Sequence, residues 1–93
     1  MDYQFVEEEK RIVIQDQNNN EIGEITFIRS GRDKIIISHT GVEESHRGQG
    51  LAEQLVAKLV EKAKDENIKI IPLCPFAKIE FERKPEYWEV LFE

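Results

Sequence analysis

The sequence has little of three things that would direct it toward other functions: cysteine, excess positive charge and long apolar runs. One cysteine in 93 residues allows no internal disulfide. A formal net charge of −6 argues against a nucleic-acid-binding surface, which needs a cationic stripe. No apolar run is long enough to cross a bilayer, and no signal-peptide pattern appears. We therefore expect a cytoplasmic protein whose partners are neither nucleic acid nor membrane.

What remains is the composition of one small globular domain. Hydrophobic residues make up 40% of the chain, and no low-complexity run or linker divides it. A chain of this length forms a modest core, so we expect one domain over residues 1–93. We also expect no metal ion, and a monomer or weak dimer.

Apolar periodicity divides the chain into short strands and two helices. Alternating or β-branched apolar residues predict the strands, and polar runs rich in Asn, Gly and Ser predict the turns. The predicted strands cover residues 11–15, 21–29, 34–42 and 68–74, and the predicted helices cover about 50–66 and 76–83. Alternation in the second strand groups Ile22 with Ile28 on one face, and Ile25 with Phe27 on the other.

The long helix supplies the apolar face around which the fold is predicted to close. Leu51, Leu55 and Leu59 recur every four residues, with charged residues opposite them. Asn67 is a suitable left-handed stop. Strands joined through one helix are expected to lie parallel, whereas strands joined by short turns form antiparallel hairpins. The predicted fold is α+β with an α/β-like core: antiparallel N-terminal strands, a strand-helix-strand unit and a C-terminal helix.

The most informative stretch is Ser-His-Arg-Gly-Gln-Gly-Leu-Ala at residues 45–52, where a strand gives way to the long helix. A helix N-terminus presents unpaired N–H groups and the positive end of a dipole, so it suits a phosphate. Gly48 and Gly50 remove side chains that would block a close approach, and Arg47 adds positive charge. A glycine-rich turn that only permits tight packing is the alternative interpretation.

The spacing Arg47-x-x-Gly50-x-Ala52 resembles the loop by which the GNAT superfamily of N-acetyltransferases holds the pyrophosphate of coenzyme A. Two further stretches strengthen this resemblance, His-Thr-Gly-Val at 39–42 and Ile-Ile-Pro-Leu-Cys-Pro-Phe-Ala-Lys at 70–78. Together they resemble a small subfamily with chains of about this length. The resemblance implies a minimal GNAT fold with splayed parallel strands, acetyl-CoA as the cofactor, and N-acetyltransferase activity.

The resemblance also implies which residues meet the cofactor. The backbone at the end of the third predicted strand faces the pantetheine arm, the glycine loop faces the pyrophosphate, and a basic pair faces the ribose phosphate or adenine. These residues are Thr40, Gly41, Val42, Arg47, Gly48, Gln49, Gly50, Leu51, Ala52, Phe76, Arg83 and Lys84. For Arg83 and Lys84, a solvated helix end is the alternative.

His39 and Cys74 are the predicted catalytic residues. Period 2 places His39 on the face of Ile35 and Ile37, and both candidates lie at the carboxyl ends of strands that we predict to be neighbours. An imidazole can take a thiol proton, and the thiolate is a strong nucleophile. The subfamily carries both residue types at these positions. A buried thiol and a satisfied strand-end histidine are the alternatives.

Three functions fit these observations. The first is acetyl transfer from acetyl-CoA to an unidentified amine acceptor. The second is a module that binds acetyl-CoA or CoA with little or no transfer, because only residues 17–20 stand where larger relatives have the helices that wall the acceptor cleft. The third is a structural domain without cofactor, against which the intact glycine loop argues. Fold alone does not decide between them.

Overall fold

A computed structural model of the chain describes residues 3–92, within which five strands, two α-helices and two short 3-10 helices occur. The strands are β1 (Gln4–Glu7), β2 (Arg11–Gln15), β3 (Glu21–Ser30), β4 (Lys34–Val42) and β5 (Lys69–Pro72). The helices are α1 (Leu51–Glu66) and α2 (Pro75–Arg83), and the 3-10 helices are Glu44–His46 and Pro85–Val90. The predicted α+β order is confirmed, with β1 as an added edge strand.

The five strands form one sheet in the order β1-β2-β3-β4-β5. The first three pairings are antiparallel, as expected for strands joined by short turns. The pairing of β4 with β5 is parallel, since α1 carries the chain back across the sheet between them. The predicted strand-helix-strand unit is therefore present.

Helix α1 covers one face of the sheet through its apolar stripe. Leu55 and Leu59 are fully buried against the isoleucines of the sheet, and Leu51 and Ala63 extend the same stripe. The helix ends at Asn67, whose φ of 57° and ψ of 47° are left-handed and whose N–H bonds the carbonyls of the last turn. The sequence prediction for this stop is confirmed.

Two bulges interrupt the antiparallel ladders and change which residues face the core. Thr26 pairs with His39 and Phe27 with Ile37, so Ser38 is an extra residue in β4. The Ser38 hydroxyl bonds Thr26 Oγ1 at 2.9 Å. A similar shift makes a second extra residue, Ile22, in β3.

The grouping of Ile22 with Ile28 was wrong because of that second bulge. Ile22 is buried in the same core as Ile25 and Phe27, whereas Ile28 is 57% exposed. One extra residue shifts the period-2 alternation by one position, so residues on either side of a bulge cannot be assigned by a single alternation.

The pairing between strands β4 and β5 ends before β4 does. Their pairing stops at Ile37 with Pro72, and β4 continues to Val42 with β3 on its other side. The N–H groups of Leu73 and Cys74 both donate to the Ile37 carbonyl, at 3.2 and 3.3 Å, and the chain then turns into α2 instead of following β4. The predicted strand 68–74 is shorter for this reason, and Cys74 becomes the N-cap of α2.

The C-terminal segment covers the free edge of β5. Leu91 forms a parallel bridge with Ile70, and the Phe92 N–H donates to the Ile70 carbonyl at 2.9 Å. Covering an edge strand prevents it from pairing with another chain. Neither α1 nor α2, nor any other helix within residues 3–92, is long and apolar enough to cross a membrane.

We expect Leu59→Ala to lower the free energy of unfolding by about 3 kcal/mol, because it opens a cavity at the centre of the helix–sheet interface. Urea unfolding followed by circular dichroism measures the loss. Leu73→Ala is the matched control, since Leu73 is 65% exposed and Leu59 fully buried. Equal losses in the two variants would contradict the core described above.

Candidate functional site

The site is a hollow of about 420 Å³ between the end of β4 and the start of α1. It lies beside the point where β4 and β5 separate. Its lining comes from the end of β4, the glycine loop, the first turn of α1 and the first turn of α2. The residues are Thr40, Gly41, Val42, His46, Arg47, Gly48, Gly50, Leu51, Ala52, Glu53 and Phe76. Most of the predicted cofactor-binding residues therefore meet at one place.

The glycine loop opens this hollow because of its backbone conformation. Gly48 has a φ of 82° and Gly50 a φ of 76°, both in the left-handed region. A Cβ on either residue would meet no atom within 4 Å, so the space above the loop is open. Gly50 is the N-cap of α1 and offers no side-chain hydrogen bond. The first N–H groups of α1 thus have no intrahelical acceptor. They face the open space above Gly48 and Gly50, which we call the cradle.

Arg47 stands at the rim of the cradle. Its Nε donates to the Val42 carbonyl at 3.1 Å, which joins the loop to the end of β4. A guanidinium has five N–H donors, so four remain for another acceptor. Glu53 supplies an opposing charge on the first turn of α1. The rim therefore carries both a cation and an anion, and only the cation suits a phosphate.

Cys74 lies at the inner end of the gap between β4 and β5, and it is buried, with 6% of its surface exposed. Burial, the largest single influence, acts to raise the pKa of its thiol. The N–H groups of Ala77 and Phe76 and the Thr40 hydroxyl and N–H act together in the opposite direction. The net result is a Cys74 pKa below its ordinary value, as is typical of a thiol at a helix N-terminus.

Thr40 is the polar side chain that faces the Cys74 sulfur. Its Oγ1 is fully buried and makes no hydrogen bond of good geometry to any group within residues 3–92. A buried hydroxyl without a partner is costly, so it favours an acceptor that comes to it. A thiolate accepts a hydrogen bond better than a thiol does, so the Thr40 hydroxyl favours the thiolate form of Cys74.

His39 lies on the opposite face of the sheet from Cys74, so the expected contact between them is wrong. Because of the extra residue in β4, His39 sits opposite Thr26, whereas Thr40 sits opposite the fully buried Ile25. Paired residues project to the same face of a sheet, so Thr40 reaches the core side and His39 the outer side. Uninterrupted period 2 had predicted the reverse.

A second hollow, of about 490 Å³, lies on that outer face. It shares Gly41, Val42 and Arg47 with the first. The His39 ring covers Gly41, since a Cβ there would lie 2.8 Å from the His39 Nε2. Its other lining residues are Arg11, Glu21, Ile22, Gly23, Glu24 and Glu43. Arg11 forms ion pairs of 3.0 Å with Glu21 and Glu24.

Three predicted binding residues do not line the first hollow. Gln49 turns away from it, and its Oε1 accepts a hydrogen bond from the Tyr3 hydroxyl at 3.0 Å. Lys84 bonds Glu80 Oε1 at 2.8 Å, near the end of α2. Arg83 is exposed at the last turn of the same helix. The basic pair therefore does not line this hollow.

Two lining residues were missed from the sequence, His46 and Glu53. His46 directly precedes the motif, and its position beside Arg47 is a signal that was available. Glu53 follows from helical geometry, because it lies in the first turn and shares the exposed end of α1 with the loop.

Solved structures similar to this chain share its fold. A GCN5-like protein from Staphylococcus aureus, solved by NMR, has 36% sequence identity and a TM-score of 0.79, with 96% of this chain and 87% of that chain covered. A GNAT family N-acetyltransferase from Escherichia coli, crystallised with CoA, has 25% identity and a TM-score of 0.62. That match covers 68% of this chain and 38% of the Escherichia coli chain.

A more distant structure shows the fold alone. N-acetylglutamate synthase from Neisseria gonorrhoeae, complexed with coenzyme A and N-acetyl-glutamate, has 18% identity and a TM-score of 0.66, with 80% of this chain and 18% of that chain covered. No curated protein is similar enough to count as a match. The family model described as GCN5-related N-acetyl-transferase matches residues 11–91. This match, with the fold and the 36% identity over nearly the whole chain, shows that the chain belongs to the GCN5-related N-acetyltransferase family.

Proposed function

We propose that this protein binds acetyl-CoA in the hollow between β4 and α1 and transfers its acetyl group to an amine. The observation that carries the proposal is the open glycine cradle at the start of α1, beside the unpaired end of β4. The CoA-bound relative from Escherichia coli supports the choice of ligand.

The cradle is the proposed diphosphate site. The free N–H groups at the start of α1 donate to phosphate oxygens, and the dipole of the helix favours their negative charge. The remaining N–H groups of Arg47 add charge-assisted hydrogen bonds from the rim. Gly48 and Gly50 leave room for this approach, as the open space above them indicates.

The unpaired end of β4 is the proposed site of the pantetheine arm. Residues 38–42 have β3 on one side and, beyond Ile37, no partner from β5 on the other. Backbone groups on that side are available to an amide-bearing chain that lies alongside them as an added strand. Phe76 supplies an apolar wall to the same hollow.

The thioester then falls at the inner end of the gap, near Cys74 and Thr40. In the proposed route the Cys74 thiolate attacks the thioester carbonyl, the acetyl carbon forms its bond to Sγ, and its bond to the CoA sulfur breaks. The departing sulfur takes up a proton. The acceptor amine next attacks the acetyl-cysteine, and the thiolate is restored.

In the proposed route His39 serves the amine rather than the thiol. Its ring lies over Gly41 on the outer face, and the hollow there opens to solvent beside Glu43. A neutral imidazole accepts the proton that the attacking amine releases. The carboxylates of this face favour the approach of a cationic amine.

The second candidate function is a CoA-binding module with little or no transfer. Residues 16–20 form a tight turn between β2 and β3, in which the Asp16 carboxylate accepts from the N–H groups of Asn18 and Asn20. Such a turn puts no wall around the outer hollow. Turnover of acetyl-CoA with a panel of amines separates the two functions.

Coenzyme A should perturb the backbone amides of residues 47–52 most strongly, with those of 40–42 next. Gly50→Val should raise the Kd of CoA more than about tenfold, because a β-branched side chain occupies the phosphate approach and disfavours the left-handed φ. NMR titration with CoA measures both effects.

Gly31→Val is the matched control for that experiment. Gly31 also has a left-handed φ, 72°, but lies in the turn between β3 and β4. The strain is similar, so both variants should lose stability and only Gly50→Val should lose affinity. If the two folded variants bind CoA with equal affinity, the diphosphate does not bind at the glycine loop.

Arg47→Ala should weaken CoA more than it weakens S-acetylpantetheine, which lacks the nucleotide phosphates. The reason is that Arg47 is placed at the diphosphate and not at the thiol arm. Calorimetric titration of both ligands gives the two ratios, and Arg32→Ala, in the β3–β4 turn, is the control. The same loss for both ligands would place Arg47 away from the phosphates.

Cys74 should react with iodoacetamide at pH 7 faster than a free thiol of ordinary pKa, and bound acetyl-CoA should protect it. Thr40→Val should slow the reaction severalfold, since the hydroxyl that stabilises the thiolate is gone. His39→Ala should leave the rate unchanged, because His39 lies on the other face. Mass spectrometry of quenched samples gives the rates. Slowing by His39→Ala alone would contradict the assignment of Thr40.

Cys74→Ala should bind CoA with unchanged affinity, because the phosphates and backbone supply most of the contacts, and should lose acetyl transfer. The measurement pairs a binding titration with an acetyl-CoA turnover assay. Full activity in this variant would indicate direct attack of the amine on the thioester, with His39 as the base.

A further inference from the structure

We propose that Tyr3 is a positioning residue for coenzyme A, acting from outside the binding hollow on the loop that receives the diphosphate. The Tyr3 hydroxyl lies 3.0 Å from Nδ1 of His46 and donates to Oε1 of Gln49, also at 3.0 Å. One hydroxyl therefore connects two residues of the loop, on either side of Arg47 and Gly48. The inference rests on the proposed function, because it concerns the same loop.

The loop needs such a connection because its own structure holds it weakly. Within residues 3–92, the backbone hydrogen bonds of the loop are those of His46 to Glu43, of Arg47 to Glu44 and of Gln54 to Gly50, and none of them involves Gly48 or Gln49. Two left-handed glycines follow, and glycine loses more conformational freedom on ordering than any other residue. The bond from Tyr3 to Gln49 is the side-chain hydrogen bond that reaches this glycine segment in the described chain.

The Tyr3 ring also fixes the His46 ring. Their centroids lie 5.9 Å apart at an interplanar angle of 80°, an edge-to-face arrangement. His46 lines the hollow, so its orientation sets part of the wall that the ligand meets. Tyr3 itself is half-buried and packs against the core, which restrains the ring and fixes the position of its hydroxyl.

Counting protons assigns the direction of each bond. The hydroxyl has one proton, and an amide oxygen only accepts, so that proton goes to Gln49. The hydroxyl oxygen must then accept from His46, which requires a proton on Nδ1. The hydrogen bonds of the Tyr3 hydroxyl therefore select the Nδ1–H tautomer of the neutral His46 ring. This tautomer gives the proposal a spectroscopic signature in addition to its effect on binding.

The consequence for binding is pre-organisation. A loop already held in the shape that the diphosphate needs loses less freedom when the ligand arrives. Tyr3→Phe keeps the ring and its packing but removes the hydroxyl. It should raise the Kd of CoA about three- to tenfold, as expected for the loss of one or two neutral hydrogen bonds. It should change the Kd of S-acetylpantetheine little, because that ligand does not reach the loop.

The experiment compares wild type, Tyr3→Phe and Tyr87→Phe by titration with CoA and with S-acetylpantetheine. Tyr87 is the matched control, since it is a buried tyrosine that packs against Phe81, with ring centroids 5.5 Å apart and away from the loop. Long-range ¹H–¹⁵N spectra of the His46 ring should show the Nδ1–H form in wild type and its loss in Tyr3→Phe.

The outcomes are distinct. If wild type shows no saturable binding of CoA, the proposed function fails. If wild type binds and Tyr3→Phe binds CoA equally well, the positioning role is overturned while the proposed function stands. Equal weakening of CoA and S-acetylpantetheine by Tyr3→Phe would indicate a general loss of structure and would also overturn it. Selective weakening of CoA, with an unchanged Tyr87→Phe, supports the role.

Discussion

The end of the pairing between β4 and β5 is the constraint on which the rest of the site depends. The N–H groups of Leu73 and Cys74 both donate to the Ile37 carbonyl, at 3.2 and 3.3 Å, so β5 makes no hydrogen bond further along β4. The chain then turns into α2 through Cys74. This single interruption leaves the last residues of β4 without a strand partner on the side of β5. It also brings a helix N-terminus, with its free N–H groups, to the inner end of the resulting gap.

The elements that local rules govern could be predicted from the sequence. The leucine stripe of α1, the left-handed Asn67 and the glycine loop each depend on residues close in sequence, and each is present where expected. The parallel pairing of β4 with β5 followed from the helix between them. Family resemblance then added the ligand, which no local rule supplies.

The faces of the strand ends could not be predicted in the same way. A bulge shifts alternation by one residue, and the stretch after Ile37 offers no apolar alternation that would reveal it. His39 was therefore placed with the core, and Thr40 was taken for a backbone contact only. Contacts such as that of Tyr3 with the loop join residues more than forty positions apart, and no local sequence pattern around either residue predicts them.

The order of the strands also has a consequence for folding. Strands β1 to β4 are joined in succession by short turns, so their pairing closes small loops of low entropic cost. The pairing of β4 with β5 joins Lys34 to Lys69, with the whole of α1 between them in sequence. Thr40 contacts Cys74 only after this pairing has formed. The hollow thus draws on pairings between residues 35 positions apart, whereas the hairpins pair residues no more than 19 apart. A partly folded chain that has its hairpins still lacks the hollow, so occupation of this site reports completion of the fold.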